Sequence, residues 1–197
     1  MVSLALEDAF DAIADRYAEQ YPSPHTSLRW FGDQFAAFLT ESADANAPAL
    51  SAMALFERAL LDAFDAPGAP QLESSSFEAF AQSGRIANSL RLHPSVRLLS
   101  PGWNVVHQWH CAKNAKPLSA WQSEDGHWAL WRDRDRRTSF RSVSPVELSL
   151  LQATQRGESI PAMCEALSTQ IPPQNVPRVV ASTLKAWLSD GLVCAIE

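Results

Sequence analysis

Apolar residues recur along the chain at two spacings, and the change between them falls near residue 84. Leu6, Phe10, Ile13 and Tyr17 are separated by steps of four, three and four, the period of one helical face. Tyr21-Pro22-Ser23-Pro24 ends that helix, because proline cannot continue the backbone ladder. Leu28, Phe31, Phe35 and Phe38 predict a second helix. Met53, Phe56, Leu60 and Phe64 predict a third, with Pro48 in its first turn. Asp65-Ala66-Pro67-Gly68-Ala69-Pro70 reads as a loop. Ser75 with Glu78 forms a capping box for a short fourth helix that stops near Gly84.

After Gly84 the period becomes two. Leu90, Leu92, Val96 and Leu98 alternate with Arg91, His93, Ser95 and Arg97, which predicts a strand with one buried face. Pro94 marks it as an edge strand or a bulge. An amphipathic stretch at 103–111 precedes two strand-like runs, 127–132 and 137–143, joined as a hairpin by Asp133-Arg134-Asp135-Arg136. Ser144-Pro145-Val146-Glu147 starts a helix that Gly157 stops. Ser159 caps a second helix containing Ile160, Met163, Cys164 and Leu167. A third begins near Pro177, buries Val180, Leu184, Trp187 and Leu188, and ends before Gly191; 192–196 closes the chain as a strand. The fold class is therefore α+β. An all-α domain, 1–84, is followed by a winged-helix-like module, 85–197, with a small antiparallel sheet and three helices.

Charge sharpens this division. The 197 residues carry 16 Lys+Arg and 22 Asp+Glu, a net −6. Residues 1–89 hold 4 basic and 13 acidic groups, whereas 90–197 hold 12 and 9. The overall acidity argues against nucleic acid as a partner of the whole chain. No apolar run reaches the roughly 18 residues that a membrane-spanning helix needs. The start, Met1-Val2-Ser3-Leu4-Ala5-Leu6-Glu7-Asp8, lacks a basic segment, so no signal peptide is expected. Three widely spaced cysteines, Cys111, Cys164 and Cys194, suit reduced thiols and a cytoplasmic setting.

Candidate chemistry is sparse. His107, His110 and Cys111 have a spacing that puts ligands on one helical side. A closed zinc site needs a second cluster, which the sequence lacks, so no metal is expected in this chain. No nucleophile elbow or phosphate-binding glycine loop occurs, and no catalytic residue is assigned. His93 reads mainly as a polar strand residue. The hairpin arginines Arg132, Arg134, Arg136, Arg137 and Arg141, with Trp128, Trp131 and Phe140 nearby, fit three readings: a solvated turn, a wing on DNA phosphates, or a sheet edge that captures a peptide as an added strand. The third helix, with Arg178, Ser182, Lys185 and Ser189 outward, is thin in base-reading groups. That favours a peptide groove between this helix and strand 137–143.

Three segments carry a family resemblance. They are Phe31-Gly32-Asp33-Gln34-Phe35-Ala36-Ala37-Phe38-Leu39; Phe56-Glu57-Arg58-Ala59-Leu60 with Ala63-Phe64-Asp65-Ala66-Pro67; and Leu90-Arg91-Leu92-His93-Pro94-Ser95-Val96-Arg97-Leu98-Leu99. Together they resemble the HvfC/BufC-type proteins, from about residue 5 to the C-terminus. Residues 127–197 also resemble the PqqD-like element that recognises precursors of ribosomally made, modified peptides. Typical members carry further helices ahead of the part matched by 5–40, and this chain begins without them.

The resemblance implies a non-catalytic subunit that binds the leader of a cysteine-containing precursor peptide and presents its cysteine to a TIM-barrel multinuclear iron oxygenase. Iron is expected in that partner, with no membrane and no nucleic acid involved. The expected peptide-binding residues are Arg137, Ser139, Phe140, Arg141, Arg178, Ser182 and Lys185. Arg91, His93, Pro94 and Arg97 are expected at the partner interface. The rival is a DNA-binding regulator that uses the C-terminal module.

Overall fold

The computed structural model describes residues 1–196 apart from 43, 76–78, 80–81 and 83–88. The capping-box helix through Glu78 and its stop at Gly84 fall outside the described residues. The chain is α+β, with helices and two small antiparallel sheets. Two compact units divide it: 1–61 with 99–126, and 62–98 with 127–197. This differs from the contiguous 1–84 and 85–197 expected from the change of period. The helix after 98 belongs with the first unit, and the segment from 62 belongs with the second.

In the first unit, α1 (Val2–Leu6) ends where Glu7 takes φ 48, and α2 (Phe10–Gln20) follows with Tyr17 as its buried anchor. Rings of Phe31, Phe35 and Phe38 meet Tyr17 edge-on at 5.4, 5.1 and 5.4 Å. The expected second helix is broken into a 3₁₀ turn, Leu28–Trp30, and α3 (Phe35–Thr40). The Tyr17 hydroxyl donates to the Phe31 carbonyl, and the Phe35 N–H turns to the Gly32 carbonyl at 3.1 Å. Gly32 gives that stretch little helical preference of its own.

Helix α4 (Ala47–Asp65) starts with Pro48 in its first turn, as its sequence predicts. Its buried face is Ala49, Leu50, Ala52, Met53, Phe56, Ala59 and Ala63, while Phe64 is 56% exposed. The large residues alone misplace the stripe at its end, because Ala63 takes the buried position. Helix α5 (Val105–Lys113) occupies the amphipathic stretch. Among the described residues, no helix is long and apolar enough to cross a membrane.

In the second unit the run at 90–98 is a corner. Strand β1 (Leu90–Leu92) pairs with the C-terminal β5 (Val193–Ile196), and β2 (Arg97–Leu99) joins a second sheet with β3 (His127–Arg132) and β4 (Thr138–Val143), in the order β2-β3-β4. The His93 N–H gives the last ladder bond of the first sheet, to the Leu192 carbonyl at 2.7 Å. Pro94 then cannot donate, and the chain turns. Strands β3 and β4 form the expected hairpin, in register from His127 with Val143 to Arg132 with Thr138.

Helices α6 (Pro145–Gln155), α7 (Ile160–Leu167) and α8 (Val176–Asp190) complete the unit. The Glu147 N–H donates to the Ser144 hydroxyl, and that of Ala162 to the Ser159 hydroxyl, so both caps form as their sequences predict. Gly157 and Gly191 stop α6 and α8 at φ 74 and 75. The core gathers Leu90, Ala129, Trp131, Leu151, Leu167, Leu184, Trp187 and Val193 from both sheets and all three helices.

Candidate functional site

The second unit brings β4 and α8 together through Arg141. Its Nη1 and Nη2 donate to the two Glu147 carboxylate oxygens at 2.9 and 2.7 Å, and its Nε donates to Asp190 at 2.9 Å. The buried Trp187 indole N–H donates to the same Glu147 at 2.9 Å. The hydrogen bonds that Arg141 donates to Glu147 push its pKa further up, and the one to Asp190 adds to them, against the opposing effect of burial. Arg141 is thus a structural tie between β4, α6 and α8, and its side chain is already committed within the fold.

The other expected peptide-binding residues separate into two groups. On β4, Ser139 donates to Asp133 at 2.8 Å, and Phe140 meets Trp128 edge-on at 6.1 Å. Arg137 is exposed beside the turn, where its N–H donates to the Asp133 carboxylate at 2.9 Å. The Asp133 pKa is lowered: burial raises it, but the hydrogen bonds from Arg137 and Ser139 outweigh that effect. On α8, Arg178, Ser182 and Lys185 are exposed, and the helical period sets them opposite the buried Trp187. The seven residues therefore do not line one groove.

A concavity that the sequence did not announce lies between α7 and α8. It is about 480 Å³, lined by Ile160, Cys164, Val180, Ala181 and Leu184, with Lys185 also in its wall. Burial pushes the Cys164 thiol pKa up. The sequence carries only the spacing of Ile160 and Cys164, one turn apart; that both stay half-buried is seen in the fold.

Strand β4 has a strand neighbour on one side only among the described residues. The turn closes with the Asp133 N–H on the Arg137 carbonyl at 2.9 Å, so alternation along the ladder makes Trp131–Ser139 and Ala129–Arg141 the hydrogen-bonded pairs. It turns the Ser142 N–H out of the sheet edge.

The residues expected at a partner interface do not form one exposed set. Arg91 and Pro94 are exposed, but His93 is 4% exposed and serves the fold. The Arg132 N–H donates to the Ser95 hydroxyl at 2.9 Å, and the Ser95 hydroxyl and N–H approach His93 Nδ1 at 2.7 and 3.2 Å. An acceptor at Nδ1 places the imidazole proton on Nε2. Burial lowers the His93 pKa and Arg132 lowers it further, against a hydrogen bond with the Ala69 backbone. Arg97 donates to the carbonyls of Pro94, Val96 and Asp62.

The hairpin arginines are mostly bound within the unit as well. Arg132 donates to the Phe64, Ala66 and Pro67 carbonyls at 2.7, 2.9 and 3.2 Å, and Arg134 to Glu73 and the Leu188 carbonyl. Among the described residues no group of three or more His, Cys, Asp or Glu is placed to hold a metal. No family model matches the chain, and no curated protein matches it.

Proposed function

We propose that this chain is an HvfC/BufC-type, non-catalytic subunit. Its winged-helix-like, PqqD-like second unit binds the leader of a cysteine-containing precursor peptide for a TIM-barrel multinuclear iron oxygenase. The observation that carries the reading is the edge position of β4 in a unit ordered two short strands, hairpin, three helices, strand among the described residues. An extended leader adds as a further strand there, with backbone hydrogen bonds supplying affinity. The engagement of Arg132, Arg134 and Arg141 within the unit weighs against a DNA-contacting wing, which needs them for phosphates.

The test is co-expression with the iron enzyme and a cysteine-bearing precursor. A complex that co-elutes on size exclusion, with slowed hydrogen exchange at the Ser142 amide on precursor addition, is expected. Clean separation of the proteins with no precursor binding overturns the proposal. Sequence-specific DNA binding with a steep salt slope selects the regulator instead.

A further inference from the structure

In the first unit, His107 and Cys111 lie one turn apart on α5, with Cys111 Sγ 3.5 Å from His107 Nε2. Tetrahedral zinc holds sulfur at about 2.3 Å and imidazole nitrogen at about 2.0–2.1 Å, which sets the two donor atoms about 3.5 Å apart. The pair already stands at that separation. We propose that His107 and Cys111 form an open, two-ligand site for a borderline-soft divalent cation of the zinc type. One thiolate and one imidazole favour such an ion over magnesium or calcium, which take oxygen donors.

The helix beneath the pair is held from both ends. At its start, Asn104 donates to the Ala120 carbonyl and accepts from the Gln122 N–H, both at 3.1 Å. One turn on, the fully buried Gln108 donates to the Ser119 carbonyl at 2.8 Å and accepts from the Ser119 N–H at 3.0 Å. After its end, the Lys116 N–H donates to the Cys111 carbonyl at 2.8 Å. His107 is exposed and Cys111 half-buried, so a cation reaches the pair from solvent. Among the described residues no group of three or more His, Cys, Asp or Glu is placed to close a four-ligand structural site. The pair is an open site whose remaining positions take water or a donor from a bound molecule.

Cobalt titration of the reduced, metal-free protein tests this. One equivalent of Co²⁺ is expected to produce a near-ultraviolet thiolate-to-cobalt band. Cys111→Ser abolishes it, and His107→Ala weakens binding at least about tenfold. Cys164→Ser and Cys194→Ser leave it intact. In the unaltered protein, Zn²⁺ slows alkylation of Cys111 but not of Cys164, a readout that survives any misfolding of the variants. The proposal is overturned by a band that persists in Cys111→Ser or is unchanged in His107→Ala, by alkylation of Cys111 indifferent to Zn²⁺, or by no band at millimolar Co²⁺.

Discussion

His93 illustrates how one buried side chain sets a pH response. Its folded pKa lies below the ordinary value near 6.5, because burial and Arg132 disfavour the charged ring. Well above about pH 6.5 both folded and unfolded forms are neutral and this group adds no pH dependence. As pH falls below that value the unfolded chain takes up the proton first, so stability falls, by at most about 1.4 kcal/mol per pH unit. His93→Ala is expected to cost about 1–3 kcal/mol at pH 8 and to flatten the stability curve between pH 6.5 and the folded pKa, both read from urea midpoints. An unaltered curve would remove the imidazole from this role. Arg141 and Lys185 form a second contrast. Arg141→Glu sets a third carboxylate beside Glu147 and Asp190 and should cost about 1–3 kcal/mol. Lys185→Glu, on the exposed face of α8, should change stability by less than about 0.5 kcal/mol and be the cleaner probe of peptide binding by calorimetry. The sequence shows that arginine and lysine are present. Only the fold shows that Glu147, 6 positions on from Arg141, and Asp190, 49 positions on, already hold that guanidinium.

At the scale of elements, local chemistry was legible wherever it acts over a few residues. The Ser144 and Ser159 caps, the glycine stops at 157 and 191, and the 127–143 hairpin all follow from neighbouring residues. Misreadings arise where a distant group decides. The 90–98 run alternates like one strand, yet Leu192 on one side and β3 on the other pull its halves into different sheets. Phe31 keeps helical spacing with Phe35, but the Tyr17 hydroxyl takes its carbonyl. Gly191 shows both influences at once. Its φ of 75 favours glycine, and a Cβ there would also run into the Gln71 side chain. Gly191→Ala should therefore destabilise by more than the roughly 1 kcal/mol of a left-handed alanine alone. Adding Gln71→Ala should recover the steric part and leave the backbone part. Thermal melts of the two single variants and the double variant give the comparison, and strict additivity would deny the clash.

For the whole molecule, the division into units changes both the charge picture and where the chain should be cut. Residues 1–61 with 99–126 hold 5 basic and 11 acidic groups, a net −6, while 62–98 with 127–197 hold 11 of each. The mildly basic second half suggested by a contiguous boundary thus becomes a neutral unit, a poor electrostatic match for nucleic acid. The segment from 62 to 74 is part of that unit through named bonds. Three carbonyls, from Phe64, Ala66 and Pro67, receive the Arg132 guanidinium. The Leu72 N–H donates to the Val193 carbonyl at 2.8 Å, and the Gln71 amide to the Arg132 carbonyl at 3.2 Å. A fragment starting at 85 keeps Arg132 and β5 but loses all of these partners, whereas one starting at 62 keeps them. The orphaned stretch 99–126 is common to both fragments and cancels. Fragment 62–197 should exceed 85–197 in stability by about 2–4 kcal/mol in urea melts. Arg132→Ala should destabilise the longer fragment and be nearly silent in the shorter, since the carbonyls it serves are present only in the first. Equal stability of the two fragments, or an equal cost of Arg132→Ala in both, would return the boundary to the change of period near residue 84.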